Sequence, residues 1–364
     1  MYYEIIKKLE DVITIKDKVS KELEVTKFLL KYPKNPIYFK NLDGYEAVGN
    51  IWAERKNISK ALGNADILQS ILYAINNPIN YEIMENNPFK NYNDFSLKDL
   101  PIPKYFEKDG SNYITSGIVF SEKDGKKNAS FHRMMVIDEK RAAVRLVPRD
   151  LYRMYNESIT SIDYSIDEST IASSLRLKTL GEKEKMVKLS NNINVPFESE
   201  YVFEGKIIDE KYPAEGPFLD VTRTYDIKEN QPIVIFERMY TNERPIFHIL
   251  LSGGYEHYNL MGMPREPTIY QEIKKKGINI LDVKLTYGGC SWLHAIVKIK
   301  KKNENLEDVE WSIATRFQGD RDMVIKKERG SSLDPSRYEN DITTKIGIDA
   351  TIKGEEKEKF KKEF

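Results

Sequence analysis

Along this chain the hydrophobic period runs near three and a half residues, changes to two, and then mixes, dividing the sequence into three stretches. From Tyr2 to Ile13, the positions Ile5, Ile6, Leu9 and Ile13 recur at helical spacing and predict an amphipathic opening helix. Residues 35–39 and 44–51 predict short strands. Ser59 to Leu72 predicts a helical region interrupted near Gly63 and Asn64. The stretch from Ile75 to Asp109, rich in Asn, Pro and Lys, predicts a linker. Beyond it, residues 113–120, 129–137 and 142–147 alternate as strands do, with polar turns at Lys123-Asp-Gly125 and Asp138-Glu-Lys140. Asp167 is placed to cap a helix carrying Ile171, Leu175 and Leu180, and strands resume at 201–203, 231–240 and 245–251. Many short strands around one inserted helix predict a barrel-like middle domain. After Pro264 the pattern predicts a helix through Lys276, a strand near 280–285, a turn and strand over 288–299, and a helix over 307–317. The Lys/Glu tail from Lys353 to Phe364 has few apolar anchors and predicts a solvated end.

Length and composition narrow the function class. At 364 residues the chain exceeds what one core usually serves, and 40% hydrophobic residues are ample for buried cores. Lys and Arg number 57, as do Asp and Glu, so the balance lacks the basic footprint of a nucleic-acid or anionic-membrane binder. One cysteine, Cys290, excludes an internal disulfide or a multi-cysteine metal site and suits a reducing cytoplasm. The charged start predicts no signal peptide, and no apolar run is long enough to span a bilayer. There is no HExxH, GxSxG, P-loop or dinucleotide fingerprint.

What remains is a set of carboxylates and arginines beside turns. In Ala214-Glu-Gly-Pro-Phe-Leu-Asp220 the Gly-Pro pair bends the chain, so Glu215 and Asp220 face one space or lie apart as solvated acids. Two carboxylates sharing a space repel, so one stays protonated beside an ionised partner, the arrangement for an acid-donating group. Arg133, in Asn128-Ala-Ser-Phe-His-Arg133, either covers a sheet edge or binds a carboxylate with its planar fork. Asp167-Glu168 fits a helix start by capping alone. Gly253-Gly-Tyr-Glu-His257 reads as a turn into a strand.

In their order these pieces resemble one family. Asn128-x4-Arg133, Glu215-Gly-Pro-Phe-x-Asp220, Leu260-Met-Gly-Met-Pro-Arg-Glu-Pro267, Ala314-Thr-Arg-Phe-Gln-Gly-Asp-Arg-Asp322 and Ser331-Ser-Leu-Asp-Pro335 are similar to the UbiD-type decarboxylases, which use prenylated FMN. The run Glu-Gly-Pro-Phe-x-Asp-x-Thr-x-Thr-Tyr-Asp with Met-Gly-Met-Pro-Arg-Glu-Pro resembles the archaeal branch acting on trans-anhydromevalonate 5-phosphate in a modified mevalonate pathway. The resemblance implies an α+β fold: an N-terminal α/β domain (1–110), a central split β-barrel for the flavin (111–262) and a C-terminal α/β oligomerisation domain (263–364). It implies that Arg133, Glu215 and Asp220 are catalytic, and that Asn128, Arg133 and Glu168 bind the cofactor. A divalent metal, Mn²⁺ or Mg²⁺, would be held by Asn128, Glu168 and Asp150, with K⁺ as a further candidate ion. It also implies a small carboxylic acid substrate, a flavin prenyltransferase as cofactor supplier, and a homo-oligomer. Decarboxylation of an aromatic acid, and a non-catalytic flavin-phosphate binder, are the competing expectations.

The chain departs from this family at three places. Asp150 stands where a metal-binding histidine is usual. Arg223 stands where glycine is usual, which implies backbone that needs freedom or close approach; an arginine there either reshapes the pocket or supplies a substrate-phosphate contact. Between Lys302 and Glu310 a few polar residues replace roughly a helix and a strand, so a shortened C-terminal domain is expected.

Overall fold

The structure, a computed structural model, describes residues 2–63, 65–77, 80–156, 162–167, 185–299, 306–338 and 340–352. The first stretch forms α1 (Tyr2–Lys8), β1 (Ile13–Ile15), α2 (Glu24–Lys31), β2 (Ile37–Leu42), β3 (Tyr45–Gly49), α3 (Arg55–Ala61) and α4 (Ile67–Asn76). The opening helix is shorter than its spacing predicts. Asp11 takes a left-handed backbone (φ 57°), which a right-handed helix cannot pass through, and Ile13 begins a strand parallel to β2. The second helical region breaks near Gly63 as expected, and Asp66 restarts it by accepting from the Gln69 amide at 2.8 Å.

The middle of the chain forms β4 (Glu82–Ile83), β5 (Lys90–Tyr92), β6 (Tyr113–Ile114), β7 (Ile118–Lys123), β8 (Lys126–Phe131), β9 (Met134–Val136) and β10 (Arg141–Val144). There follow α5 (Asp150–Asn156), β11 (Ile162–Asp167), β12 (Lys185–Lys188), β13 (Asn194–Pro196), β14 (Tyr201–Leu219), β15 (Tyr225–Thr241) and β16 (Phe247–His248). Asp124 and Gly125, both at positive φ, close the β7–β8 hairpin, as the Asp-Gly pair predicts. Nine of these strands make one curled sheet, in the order β6-β9-β10-β15-β14-β11-β7-β8 with β5 also on β15. Its axis is the β14–β15 pair, far longer than the short runs the sequence predicts. Three register shifts along β14, at Glu204/Gly205, Ile208/Lys211 and Glu215/Phe218, let so long a pair bend without losing its ladder. The rings of Tyr201, Phe203, Phe236 and Phe247 pack edge-on inside the curl. The helix expected after Asp167 lies outside the described residues; Asp167 itself ends β11.

Two connections cross the expected boundaries. β5, within the supposed linker, pairs with β15, and β16 returns to the first stretch as a parallel neighbour of β3. The last stretch forms α6 (Tyr255–Gly262), α7 (Glu266–Lys275), β17 (Asp282–Leu285), β18 (Ala295–Lys298), α8 (Leu306–Arg316), β19 (Met323–Arg329) and β20 (Ile342–Ile348). Among the described residues here, strands pair as two-stranded ribbons, β17 with β18 and β19 with β20. Gly253 and Gly254 open helix α6 rather than the expected strand, because the extended run stops at His248. Among the described residues no helix is long and apolar enough to cross a membrane.

Candidate active site

Arg133 sits at the corner between β8 and β9, and a polar relay fixes that corner. The Asn128 amide donates to Ser130 Oγ at 2.9 Å, Ser130 Oγ contacts His132 Nε2 at 2.9 Å, and His132 Nδ1 contacts the Arg145 carbonyl at 2.9 Å. A carbonyl only accepts, so Nδ1 carries the proton and Nε2 accepts from the serine. Burial supports this neutral ring, pushing the His132 pKa down to about 4 against the Arg145 carbonyl bond. Arg145 in turn donates its amide to the Arg133 carbonyl at 3.1 Å.

Glu215 and Asp220 do converge, and Arg133 stands between them. Its Nε and Nη2 meet the two oxygens of Glu215 at 3.0 and 2.8 Å, and Nη1 meets Asp220 Oδ2 at 2.6 Å. Nη2 also donates to Asp226 at 2.9 Å, and the guanidinium lies 4.6 Å from the Phe218 ring centre. Burial opposes the charge on Arg133, but Glu215 ahead of Asp220 and Asp226 outweighs it and raises its pKa. Burial likewise opposes ionisation of Asp226, yet Lys228 at 2.7 Å and Arg133 hold it below the usual range. Side-chain exposure grades outward: Glu215 0%, Arg133 10%, Asp220 15% and Asp226 24%. Glu215 is therefore a locked counter-ion, whereas Asp220 reaches the surface of the cluster.

Glu215 flanks a bulge in β14, and Asp220 follows the end of that strand. Glu215 pairs across to Lys228 and Phe218 to Asp226, so Gly216 and Pro217 together stand opposite the single residue Ile227. The Gly110 amide donates to the Pro217 carbonyl at 2.8 Å, and a Cβ on Gly110 would lie 2.2 Å from the Gly216 carbonyl oxygen. Asp220 then starts a tight turn: its amide donates to Thr224, Arg223 donates back to its carbonyl at 2.8 Å, and the Val221 amide donates to Oδ1 at 2.6 Å. Arg223 has φ 59°, the left-handed region glycine favours, which is what the departure from glycine at this position leads one to expect. His257 faces the cluster. Burial lowers its pKa despite the attraction of Asp220, and its Nδ1 accepts from the Gly253 amide at 3.2 Å.

The expected metal ligands fare less well. Asn128 lies on β8, which touches α5, but Asp150 at the start of α5 is 75% exposed and pairs with Arg153 at 3.5 Å. Glu168 lies outside the described residues. Among the described residues no three His, Cys, Asp or Glu side chains gather to hold a metal. A cavity of about 450 Å³ opens further along β14 and β15, walled by Tyr152, Tyr155, Lys211 and Gln231, with Leu146 on the Arg145 side. Arg133, Glu215 and Asp220 do not line it. Sequence reasoning missed Asp226, Phe218 and Lys228 as partners of the cluster; the Thr-Tyr-Asp226 run was visible, but its role follows only from the strand register.

Profiles for three parts of one family match most of the chain. They are the 3-octaprenyl-4-hydroxybenzoate carboxy-lyase N-terminal domain at residues 3–75, its Rift-related domain at 79–159 and 152–255, and its C-terminal domain at 303–350. An anhydromevalonate phosphate decarboxylase from Methanocaldococcus jannaschii is 37% identical over 97% of both chains. The chain belongs to the UbiD family. A second relative of the same name, from Methanothermobacter thermautotrophicus, is 32% identical over 97% of both chains. The first alignment runs to 418 positions against the 364 residues of this chain, so that UbiD relative carries segments with no counterpart here. Among solved UbiD-class structures, HmfF from Pelotomaculum thermopropionicum in complex with FMN superposes with a TM-score of 0.89, covering 99% of this chain and 96% of its own at 24% identity. The apo 3,4-dihydroxybenzoic acid decarboxylase of Enterobacter cloacae gives 0.88, covering 99% and 95% at 15% identity. The curled sheet is thus the UbiD fold.

Proposed function

We propose that this chain is a prenylated-FMN-dependent carboxy-lyase that converts trans-anhydromevalonate 5-phosphate to isopentenyl phosphate and carbon dioxide. The observation that carries this reading is the Arg133 cluster, in a family whose similar members bear the name of that activity. Arginine has five N–H donors, and among the described residues four are used: one on Nε, two on Nη2 and one on Nη1. The remaining N–H is on Nη1, the nitrogen that also holds Asp220. That donor orients the substrate carboxylate beside Asp220, while Glu215 keeps the fork in place. When carbon dioxide departs, its bonding electrons stay on the substrate carbon, and Asp220 delivers the proton that replaces the carboxyl group. Asp220 suits this task because it is held by one Arg133 bond and is partly exposed, whereas Glu215 is sealed.

When bound, prenylated flavin supplies the electron sink that loss of carbon dioxide from an unsaturated acid requires. The cavity along β14 and β15 is not assigned to the flavin, since its Lys211 is already paired with Asp209 at 3.5 Å and none of Arg133, Glu215 and Asp220 lines it. Asn128 and Glu168 remain the proposed anchors toward the cofactor phosphate and its Mn²⁺ or Mg²⁺, with K⁺ a further candidate. Asp150 is dropped from that set, since its carboxylate is turned to solvent. In this reading residues 1–110, 111–262 and 263–364 act as an N-terminal, a flavin-binding and an oligomerisation unit in the cytoplasm, with a flavin prenyltransferase supplying the cofactor. The test is carbon dioxide release from protein produced together with such a transferase, over a panel of acids. Release from anhydromevalonate phosphate is expected; release from aromatic acids alone removes the isoprenoid reading, and flavin binding with no release from any acid makes the chain non-catalytic.

A further inference from the structure

Arg133 and Arg223 flank Asp220 and differ in one respect. Arg133 pairs with three carboxylates, whereas Arg223 pairs with none among the described residues. Its place is nonetheless well defined. The Asp220–Thr224 turn fixes its backbone, its Nε donates to the Gly253 carbonyl at 2.9 Å, and its guanidinium lies 5.6 Å from the Tyr258 ring centre. The room for its stem comes from Gly253: a Cβ there would lie 2.9 Å from Arg223 Cγ and 3.4 Å from the Asp220 carbonyl oxygen. Arg223 thus occupies a backbone conformation suited to glycine, next to a glycine that makes way for it. With Nε on the Gly253 carbonyl and one hydrogen bond to the Tyr258 hydroxyl, the guanidinium keeps further terminal N–H donors for a ligand. The Tyr258 hydroxyl, whose pKa burial, ahead of Cys290, pushes up to about 12, stays protonated, pairs with Cys290 and braces the Arg223 guanidinium.

We propose that Arg223 determines specificity for a phosphorylated acid, pairing with the substrate phosphate while Arg133 and Asp220 hold the carboxylate end. This rests on the decarboxylase reading above, which gives the substrate two anionic ends. Arg133 has one N–H left for the first, and Arg223, three residues from Asp220, offers a planar cationic fork for the second. A carboxylate in place of the phosphate uses the same chemistry, and the choice of probe separates the two.

The experiment compares the wild type with Arg223→Gln and Arg223→Gly, the second of which suits φ 59° and therefore keeps the turn intact. In steady-state assays of the cofactor-loaded enzyme, the kcat/KM ratio for phosphorylated over unphosphorylated anhydromevalonate should fall at least tenfold in both variants, through KM rather than kcat. In titration calorimetry, isopentenyl phosphate should bind the wild type at least tenfold more tightly than isopentenol or the corresponding carboxylate, and the variants should lose that preference. Variants that keep the preference within twofold, or a wild type that shows none, overturn the proposal. A wild type that prefers the phosphate ester yet releases no carbon dioxide from any acid supports the role of Arg223 and refutes the decarboxylase reading instead.

Discussion

In the curled sheet, β14 runs between β15 and β11, and the charged side chains of its bulge are answered by partners on β8–β9 and β15. The β19–β20 ribbon is built from strands of seven residues each and has no third strand among the described residues. Val324, Ile325, Ile346 and Ile348 stand largely exposed there, Val324 at 69%. The sheet buries its polar groups in matched sets, whereas the ribbon leaves apolar groups uncovered, a state in which two strands alone are only marginally stable. The site therefore belongs to the part of the molecule whose geometry is fixed from several sides.

Removing Arg133 should break this contrast most severely. Arg133→Met leaves Glu215 buried without its cation, which costs about 3–5 kcal/mol. Urea unfolding should show that loss and turnover should vanish; a variant as stable as the wild type would mean that the cluster does not hold the bulge. Asp220→Asn keeps shape and partial exposure but removes the acid, so turnover should fall by about 10²–10⁴ while thermal stability changes little. Equal turnover would rule Asp220 out as proton donor.

The polar corner under Arg133 predicts a pH effect of intermediate size. The His132 pKa is depressed to about 4 from an ordinary value near 6.5, so its contribution to stability is complete above about pH 6.5 and is lost as pH falls toward 4. Over that window the unfolded chain takes up a proton that the folded chain refuses, up to about 3 kcal/mol. His132→Gln should flatten that part of the stability profile; an unchanged acid limb would show that the ring titrates normally. The smallest effect belongs to the ribbon. Ile346→Lys, on the face it shares with Ile325 and Ile348, should change monomer stability by no more than about 0.5 kcal/mol. A larger loss, accompanied by a change in sedimentation, would show that a partner covers this face.

Much of the site was legible because its chemistry is carried by short, ordered motifs. Arg133, Glu215 and Asp220 were nameable from spacing and resemblance, and they do share one space. Asp226 was not, because its role comes from lying opposite Phe218 across β14 and β15, and register depends on bulges that single residues do not announce. The long pair itself was hidden, since Asp209-Glu-Lys211 and Lys228-Glu-Asn230 look like turns and become strand only when paired. The shortness of α1 turns on the left-handed Asp11, a conformation that aspartate permits without requiring. Arg223 ran the other way. A residue standing where glycine is usual pointed to a special backbone before its φ was known.

The contact between Gly110 and the bulge has a consequence for how this enzyme can change. The segment entering the sheet and the strand bearing the acids touch backbone to backbone, so a methyl group added at 110 would push directly on the carbonyl next to Glu215. Variation in the approach segment is thereby tethered to the geometry of the Arg133 cluster. New substrate preferences are more accessible through side chains at the rim, such as Arg223, than through any remodelling of the chain at residue 110.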